Sequence, residues 1–397
     1  MICIFSPAGS LTGGTYRSLK SILGFPSGEY RLYMPGDVKK SLMDDIRRLV
    51  GDSAMYGLVS NAVETEPLGV CRGKWRCYVK YGEKLATRLV GEGCGFVYIP
   101  HEHPYIPLGI GKHLPWAVLL QTTPVVGSLA IEDGSGFILF WRNMRAVYKA
   151  KPWKILRSYM RLKAYGRLIA KGAVLAVSRS IPYELAKLGI RGNIEVLHPG
   201  VGVDPCAGAP PESRDIDLVF FARLRPEKGI YDYISVVKKL QEAHPSLTAV
   251  AAGLADEATY KQVKAYADKL GVKVEIIPNV ERAKAFEILG RSKIAVYPSK
   301  MDAFPLAVLE SLSCGTPVVA YNIPAIRLNF DTKAVIKTPT GLIEQMANAV
   351  LDALNRYHVL SREAATFARV YTWDKVSSVE WQKIVSLAKS SRKAPPP

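Results

Sequence analysis

Arg223, Lys228, Asp302 and Glu310 have the types and spacing to grip a ligand that is both anionic and hydroxylated. In the run Phe220–Gly229 an apolar strand pattern stops at Ala222, and Pro226 is placed to open a helix. This puts Arg223 at a strand end and Lys228 in a first helical turn. A basic residue there opposes the helix dipole, a conflict that an anion nearby would resolve. Taken alone, the pair reads equally well as exposed surface charge. Asp302 and Glu310 are eight positions apart in the run from Pro298 to Glu310. Pro305 marks a helix start, whose free N–H groups suit a phosphate. Asp302 precedes that helix and could instead cap it. Glu310 is surrounded in sequence by Val308, Leu309 and Leu312, and a carboxylate buried among them needs a hydrogen-bonding partner. Vicinal ribose hydroxyls would serve.

The first half holds a second polar cluster. His101, Glu102 and His103 follow the strand pattern Phe96–Pro100, and ligand sites collect at the carboxyl ends of such strands. Two histidines at this spacing lack an evident third ligand, so a polar role in a cleft or a plain surface loop is expected rather than a metal, and no cofactor is expected anywhere.

Net charge is +18. Residues 1–200 carry 27 Lys+Arg against 14 Asp+Glu, or +13, and the remainder 26 against 21, or +5. From Gly134 to Tyr183 there are eleven basic residues and no acidic one. Within Trp141–Lys171 the bases alternate with Trp141, Tyr148, Trp153, Tyr159 and Tyr165. That is the composition of an amphipathic segment on an anionic membrane surface. A solvated helix face is the plain alternative, and no nucleic-acid motif accompanies the charge. No apolar run approaches the ~18 residues of a membrane span. Met1–Ser6 reads as a first strand rather than a leader. The six cysteines are scattered without CxxC spacing and read as buried or free thiols of a cytoplasmic protein, peripheral on the inner membrane face if the basic segment docks.

Strand and helix patterns must position these residues. Strands are expected at Ile2–Ser6, Arg31–Met34, Met55–Ser60, Phe96–Pro100, Ala117–Gln121, Val174–Val177 and Glu195–His198. A second set is expected at Asp217–Ala222, Leu247–Ala252, Lys273–Ile277, Ile294–Tyr297 and Pro317–Ala320. Helices are expected at Pro226–Glu242, Glu257–Leu270, Ala283–Gly290 and Leu306–Cys314. Such alternation implies parallel sheets covered by helices. His198–Asp215, with three Gly and four Pro, interrupts the pattern as a linker. The α/β chain is therefore read as two doubly wound, Rossmann-like domains facing a central cleft, 1–200 and 201–373. The tail Lys393–Pro397 has the composition of an unfolded terminus.

At this point the sequence resembles the retaining glycosyltransferases of family 4 (glycosyl transferases group 1), which have the GT-B fold. Ala222-Arg223-Leu224 and Lys228-Gly229 match that family's Gly-Arg-Leu…Lys-Gly segment. Asp302, Glu310 and Cys314–Val319 match its acid, seven residues, Glu, and small-Gly-Thr-Pro-Val-Val series. Gly13-Gly14 resembles its N-terminal glycine loop. Val177-Ser178 followed by Val196–Val203 resembles its interdomain approach, and Phe367–Val376 the segment before a C-terminal helix, 374–390, that returns to the first domain. The resemblance implies a sugar transferred from a nucleoside diphosphate sugar to an unknown acceptor, with retention and without a metal. Arg223 and Lys228 would hold the diphosphate and stabilise the departing nucleotide. Glu310 would hold the ribose, and Asn279 and Val280, after a strand end, would contact the base. Asp302 and the backbone of Ala303, Phe304, Pro305 and Leu306 would position the sugar, and Gly13 and Gly14 would let the backbone approach the phosphate and the reaction centre. The chain departs from the family at Asp302, usually Glu, and at Ala303-Phe304-Pro305, usually Gly-Phe-Gly. Gln121 stands where a His is frequent, and cannot carry a proton; His101 or His103 would replace it, or the role is one of positioning. A sugar-nucleotide epimerase or hydrolase, or a non-catalytic donor- or membrane-binding subunit, would fit the same residues.

Overall fold

The computed structural model describes residues 1–11, 13–206 and 210–391; the basic tail falls outside them. The chain divides into two compact units, Met1–Gly202 with Trp373–Pro397, and Val203–Thr372.

The first unit is built on β1 (Ile2–Phe5), β2 (Tyr30–Pro35), β3 (Val63–Thr65), β4 (Phe96–Ile99), β5 (Trp116–Leu120), β6 (Ala173–Ala176) and β7 (Ile194–Val196). They form one sheet in the order β3-β2-β1-β4-β5-β6-β7, and every pairing is parallel. β4 and β5 are buried along their whole length, as strands covered on both faces must be. The order reverses between β1 and β4, the switch point at which such sheets open to ligands. The helix Trp373–Ser391 belongs to this unit through a buried polar network. Arg17, on the helix Gly13–Leu23, ion-pairs with Glu380 at 2.5 Å and donates from Nε to the Gly200 carbonyl at 2.8 Å. Tyr98 and Ser21 donate to the same carboxylate at 2.6 and 2.8 Å. Removing either partner of such a pair would strand a buried charge.

The second unit is built on β8 (Ile216–Phe221), β9 (Ala249–Gly253), β10 (Glu275–Pro278), β11 (Ser292–Tyr297), β12 (Val318–Tyr321) and β13 (Val335–Thr338). Its sheet runs β10-β9-β8-β11-β12-β13, again all parallel, with its switch point between β8 and β11. Its core draws Leu218, Val219 and Phe220 from β8 and Ile294 and Val296 from β11 against Ile230, Ile234 and Leu309 of flanking helices.

Three sequence expectations need correction. Met55–Ser60 is not a strand: Ser53–Ser60 is a helix, started by Asp52, whose side chain accepts from Met55 N. The strand lies just beyond it, at Val63–Thr65. Second, no single helix runs from Pro226. A 3₁₀ turn, Pro226–Lys228, precedes the helix Ile230–Ala243, and Gly229 separates them at φ +81°. A Cβ at Gly229 would lie 1.9 Å from the Pro298 carbonyl oxygen, so only glycine fits this close approach. Third, the cysteines are not free. They form Cys3–Cys94, Cys71–Cys77 and Cys206–Cys314, with Cα separations of 5.9, 5.3 and 4.8 Å, within the ~4.4–6.8 Å such bridges require. Their sequence separations of 91, 6 and 108 gave no spacing motif to read.

Candidate functional site

In the second unit the β8–β11 switch point gathers Lys228 and Asp302. Lys228 Nζ donates to Asp302 Oδ2 at 2.6 Å and to the Met301 carbonyl at 3.3 Å. Asp302 Oδ2 also accepts from the Tyr297 hydroxyl at 2.5 Å, and Oδ1 from Ala303 N at 2.8 Å. Burial and the Asp302 charge push the Tyr297 phenol well above its ordinary value, so it stays a donor. Asp302 therefore fixes the lysine and the following turn. It does not cap the helix Leu306–Ser313, whose N-cap is Pro305. Arg223 is exposed just past the end of β8. Ala303 is buried, and Phe304 packs against Phe330 with ring centroids 5.4 Å apart.

Glu310, 7% exposed on the helix Leu306–Ser313, meets Arg282 Nη1 at 3.0 Å. Burial raises its pKa and the arginine opposes the rise. Asn279 adopts a left-handed φ of +54°. Its side chain is committed to Ala255, accepting from N at 3.2 Å and donating to O at 2.9 Å. Val280, beside it, is half-buried against the core.

In the first unit, Gly13 and Gly14 begin the helix Gly13–Leu23. A Cβ on Gly14 would come within 2.8 Å of Gln121 Oε1, so this glycine makes room for that side chain. Gln121 Nε2 donates to Ser18 Oγ at 2.6 Å and to the Pro100 carbonyl at 2.8 Å, and lies 3.3 Å from His101 Nδ1. The buried His101 Nε2 has no hydrogen-bond partner among the described residues. His103 Nδ1 accepts from Tyr105 N and Ile106 N at 3.2 and 3.1 Å, which fixes the loop after β4. Burial lowers both histidines to about 3; both rings are neutral. Glu102 accepts from Gln121 N and Thr122 Oγ1 at 3.1 and 2.7 Å. Hydrogen bonds through Gln121 thus join the loops after β4 and β5 to the helix Gly13–Leu23, while His103 bonds within its own loop.

Sequence reasoning missed Arg282, Asp204, Tyr297, Arg17 and Glu380. The only available signal was a charge or hydroxyl inside a helical or strand pattern. Tyr297 lies five residues from Asp302, but the other partners are far away in sequence, 78 residues for Arg282 and Asp204 and 359 for Ser21 and Glu380.

Residues 209–366 match the family model described as glycosyl transferases group 1. Among curated relatives, glycogen synthase of Mycobacterium tuberculosis is 25% identical over 224 residues, 54% of this chain and 52% of the relative. D-inositol 3-phosphate glycosyltransferase of Mycolicibacterium smegmatis is 27% identical over 207 residues, 46% and 45% of the two chains. The chain spans about half the length of these curated relatives. Solved structures share the fold over nearly their whole length. Sucrose-phosphate synthase from Thermosynechococcus elongatus aligns with TM-score 0.70 and 14% identity, over 98% of this chain and 99% of that one. Anabaena HepE in complex with UDP aligns with TM-score 0.69 and 14% identity, over 97% and 100%. Residues 209–366 are thus similar to the glycosyl transferases group 1 family, and they are set in a chain whose two Rossmann-like units have the GT-B fold.

Proposed function

We propose that the protein transfers a sugar from a nucleoside diphosphate sugar to an acceptor, with retention at the sugar carbon and without a metal. The observation that carries this reading is the Lys228–Asp302 pair at the β8–β11 switch point, inside the family-matched segment. An ammonium has three protons. Two are directed to Asp302 and Met301, and the third is available to a phosphate oxygen. With Arg223 it would balance the charge that develops on the departing nucleoside diphosphate, the service a metal would otherwise supply. Glu310 would accept from the ribose hydroxyls, and the turn Asp302–Leu306 would orient the sugar. Pro305 contributes no N–H to that turn. Asn279 would bring its own backbone and that of Val280 to the base, since its side chain serves the Ala255 turn. In the first unit Gln121 and the neutral His101 would bind the acceptor by hydrogen bonds rather than by proton transfer, and His103 would hold their loop. UDP is bound by the HepE structure that shares this fold, which makes a uridine nucleotide the first donor to test.

The test is acceptor-dependent release of nucleoside diphosphate. Wild-type protein should release it, and Lys228→Ala and Glu310→Ala should slow release at least about tenfold, from loss of a charge-assisted hydrogen bond, with folding intact. Near-wild-type rates in both variants would remove the site assignment. Release that ignores the acceptor would favour a hydrolase.

A membrane-borne acceptor is the finer reading, supported by the helix Pro152–Lys171. Its inner face buries Ile155, Leu162, Leu168 and Ile169. Its outer face exposes Trp153 at 58%, Leu156 at 58% and Met160 at 66%, among the exposed Lys154, Arg157, Lys163 and Arg167. Apolar side chains projecting among cations suit an anionic lipid surface.

A further inference from the structure

The Glu310 carboxylate is held by a circuit that the family motif does not include. Arg282 opens the helix Arg282–Arg291. Its Nη1 meets Glu310 Oε1 at 3.0 Å. Its Nε and Nη2 both donate to Asp204 Oδ2, at 3.2 and 2.9 Å. The guanidinium lies over the Phe286 ring, 4.8 Å from its centroid. One planar cation is thus fixed by a carboxylate on either side and a ring below it. Asp204 is anchored in turn: Cys206, two residues on, is bridged to Cys314, the C-cap of the helix that carries Glu310.

The charged groups facing Glu310 are Arg282 from its helix and Asp204 from the segment after the first unit. Burial and Asp204 favour the neutral acid, and Arg282 opposes both. A carboxylate offers several lone pairs. With Oε1 engaged by the arginine, the other oxygen can accept from a hydroxyl.

We propose that Arg282, held by Asp204, is a positioning residue of the donor site, clamping the Glu310 carboxylate so that it accepts hydrogen bonds from the nucleoside's vicinal hydroxyls. This rests on the reading that Glu310 holds the ribose. Without the arginine the Glu310 carboxylate loses its orientation at every pH, and burial and Asp204, no longer opposed, push its pKa further up, so that its charge-assisted bonds are lost at a higher pH than in wild type.

The test is calorimetric titration of the full-length protein with UDP, GDP and ADP, each variant compared with wild type at the same pH. Arg282→Gln should weaken nucleotide binding at least about tenfold on the acid side, with the gap narrowing toward alkaline pH to the part that comes from lost orientation alone. Glu310→Gln should be weak at every pH. Arg282→Lys should recover part of the acid-side loss. If Arg282→Gln binds like wild type, or is weakened equally at every pH, the proposal is overturned while the donor reading stands. If wild type binds none of the nucleotides, or Glu310→Gln binds normally, the donor reading itself fails. Should Arg282→Gln not fold, Asp204→Asn decides, because it keeps the cation and removes its anchor. Weakened, pH-independent binding supports the clamp, and wild-type binding overturns it.

Discussion

Glu184 lies fully buried on the helix Ser180–Lys187 and accepts hydrogen bonds from Thr123 and from Ser128, the latter at 3.1 Å. Both donors belong to the loop that follows Gln121. Burial raises the carboxyl to about 8, against 4.5 for an ordinary glutamate. Between those values the folded state holds a proton that the unfolded chain has released. Stability therefore falls as pH rises from 4.5 to 8. His101 and His103 act in the opposite sense, since burial lowers them from 6.5 to about 3 and their contribution is lost as pH falls through that range. Glu184→Gln should remove the first slope. Its melting temperature, measured against wild type by calorimetry, should gain steadily toward pH 8; a constant difference across the range would contradict this account. At this scale the sequence was readable where chemistry recurs at fixed spacing. Lys228, Asp302 and Glu310 could be named from their order alone. Arg282 could not, because its partners Asp204 and Glu310 are met only through the fold.

At the scale of elements, apolar runs between helical patterns placed most strands to within two residues, because parallel strands buried on both faces carry little but aliphatic side chains. The failures have local causes. Met55–Ser60 contains apolar residues at adjoining positions, which mimic a buried strand, while its helix is started by the Asp52 cap three residues before Met55. Val63–Thr65 has only three residues, too few for any period to show. The break at Gly229 answers to the Pro298 carbonyl, a neighbour distant in sequence. The basic segment was legible in composition, and the structure separates it into the helices Gly136–Ala146 and Pro152–Lys171. No helix among the described residues is long and apolar enough to cross a membrane, so a lipid contact would be through this exposed face. Flotation with vesicles should show binding to anionic and not to zwitterionic lipid, reduced by high salt. The triple change of Trp153, Leu156 and Met160 to Ser should weaken it. Equal binding to both lipids, or none to either, would remove the membrane reading.

For the whole molecule, the +18 charge is concentrated in the first half, whereas the family match covers only 209–366. The second unit therefore carries the residues proposed to bind the donor, and the first carries Gln121, the histidines and the basic face. Three disulfides lie within single units, so each unit keeps its own staples. Composition could not reveal them, because pairing depends on how β1, β4 and the linker are brought together. The claim on which the rest depends is that the second unit binds a nucleoside diphosphate sugar. A thermal-shift screen of such sugars tests it most directly, since a ligand that binds only the folded state stabilises it by about 2.7 kcal/mol at a hundredfold excess over Kd. The account predicts that at least one of them, uridine donors first, raises the melting temperature by several degrees and that Lys228→Ala abolishes the rise. A panel of saturating nucleoside diphosphate sugars that leaves the wild-type melting temperature unchanged would contradict it.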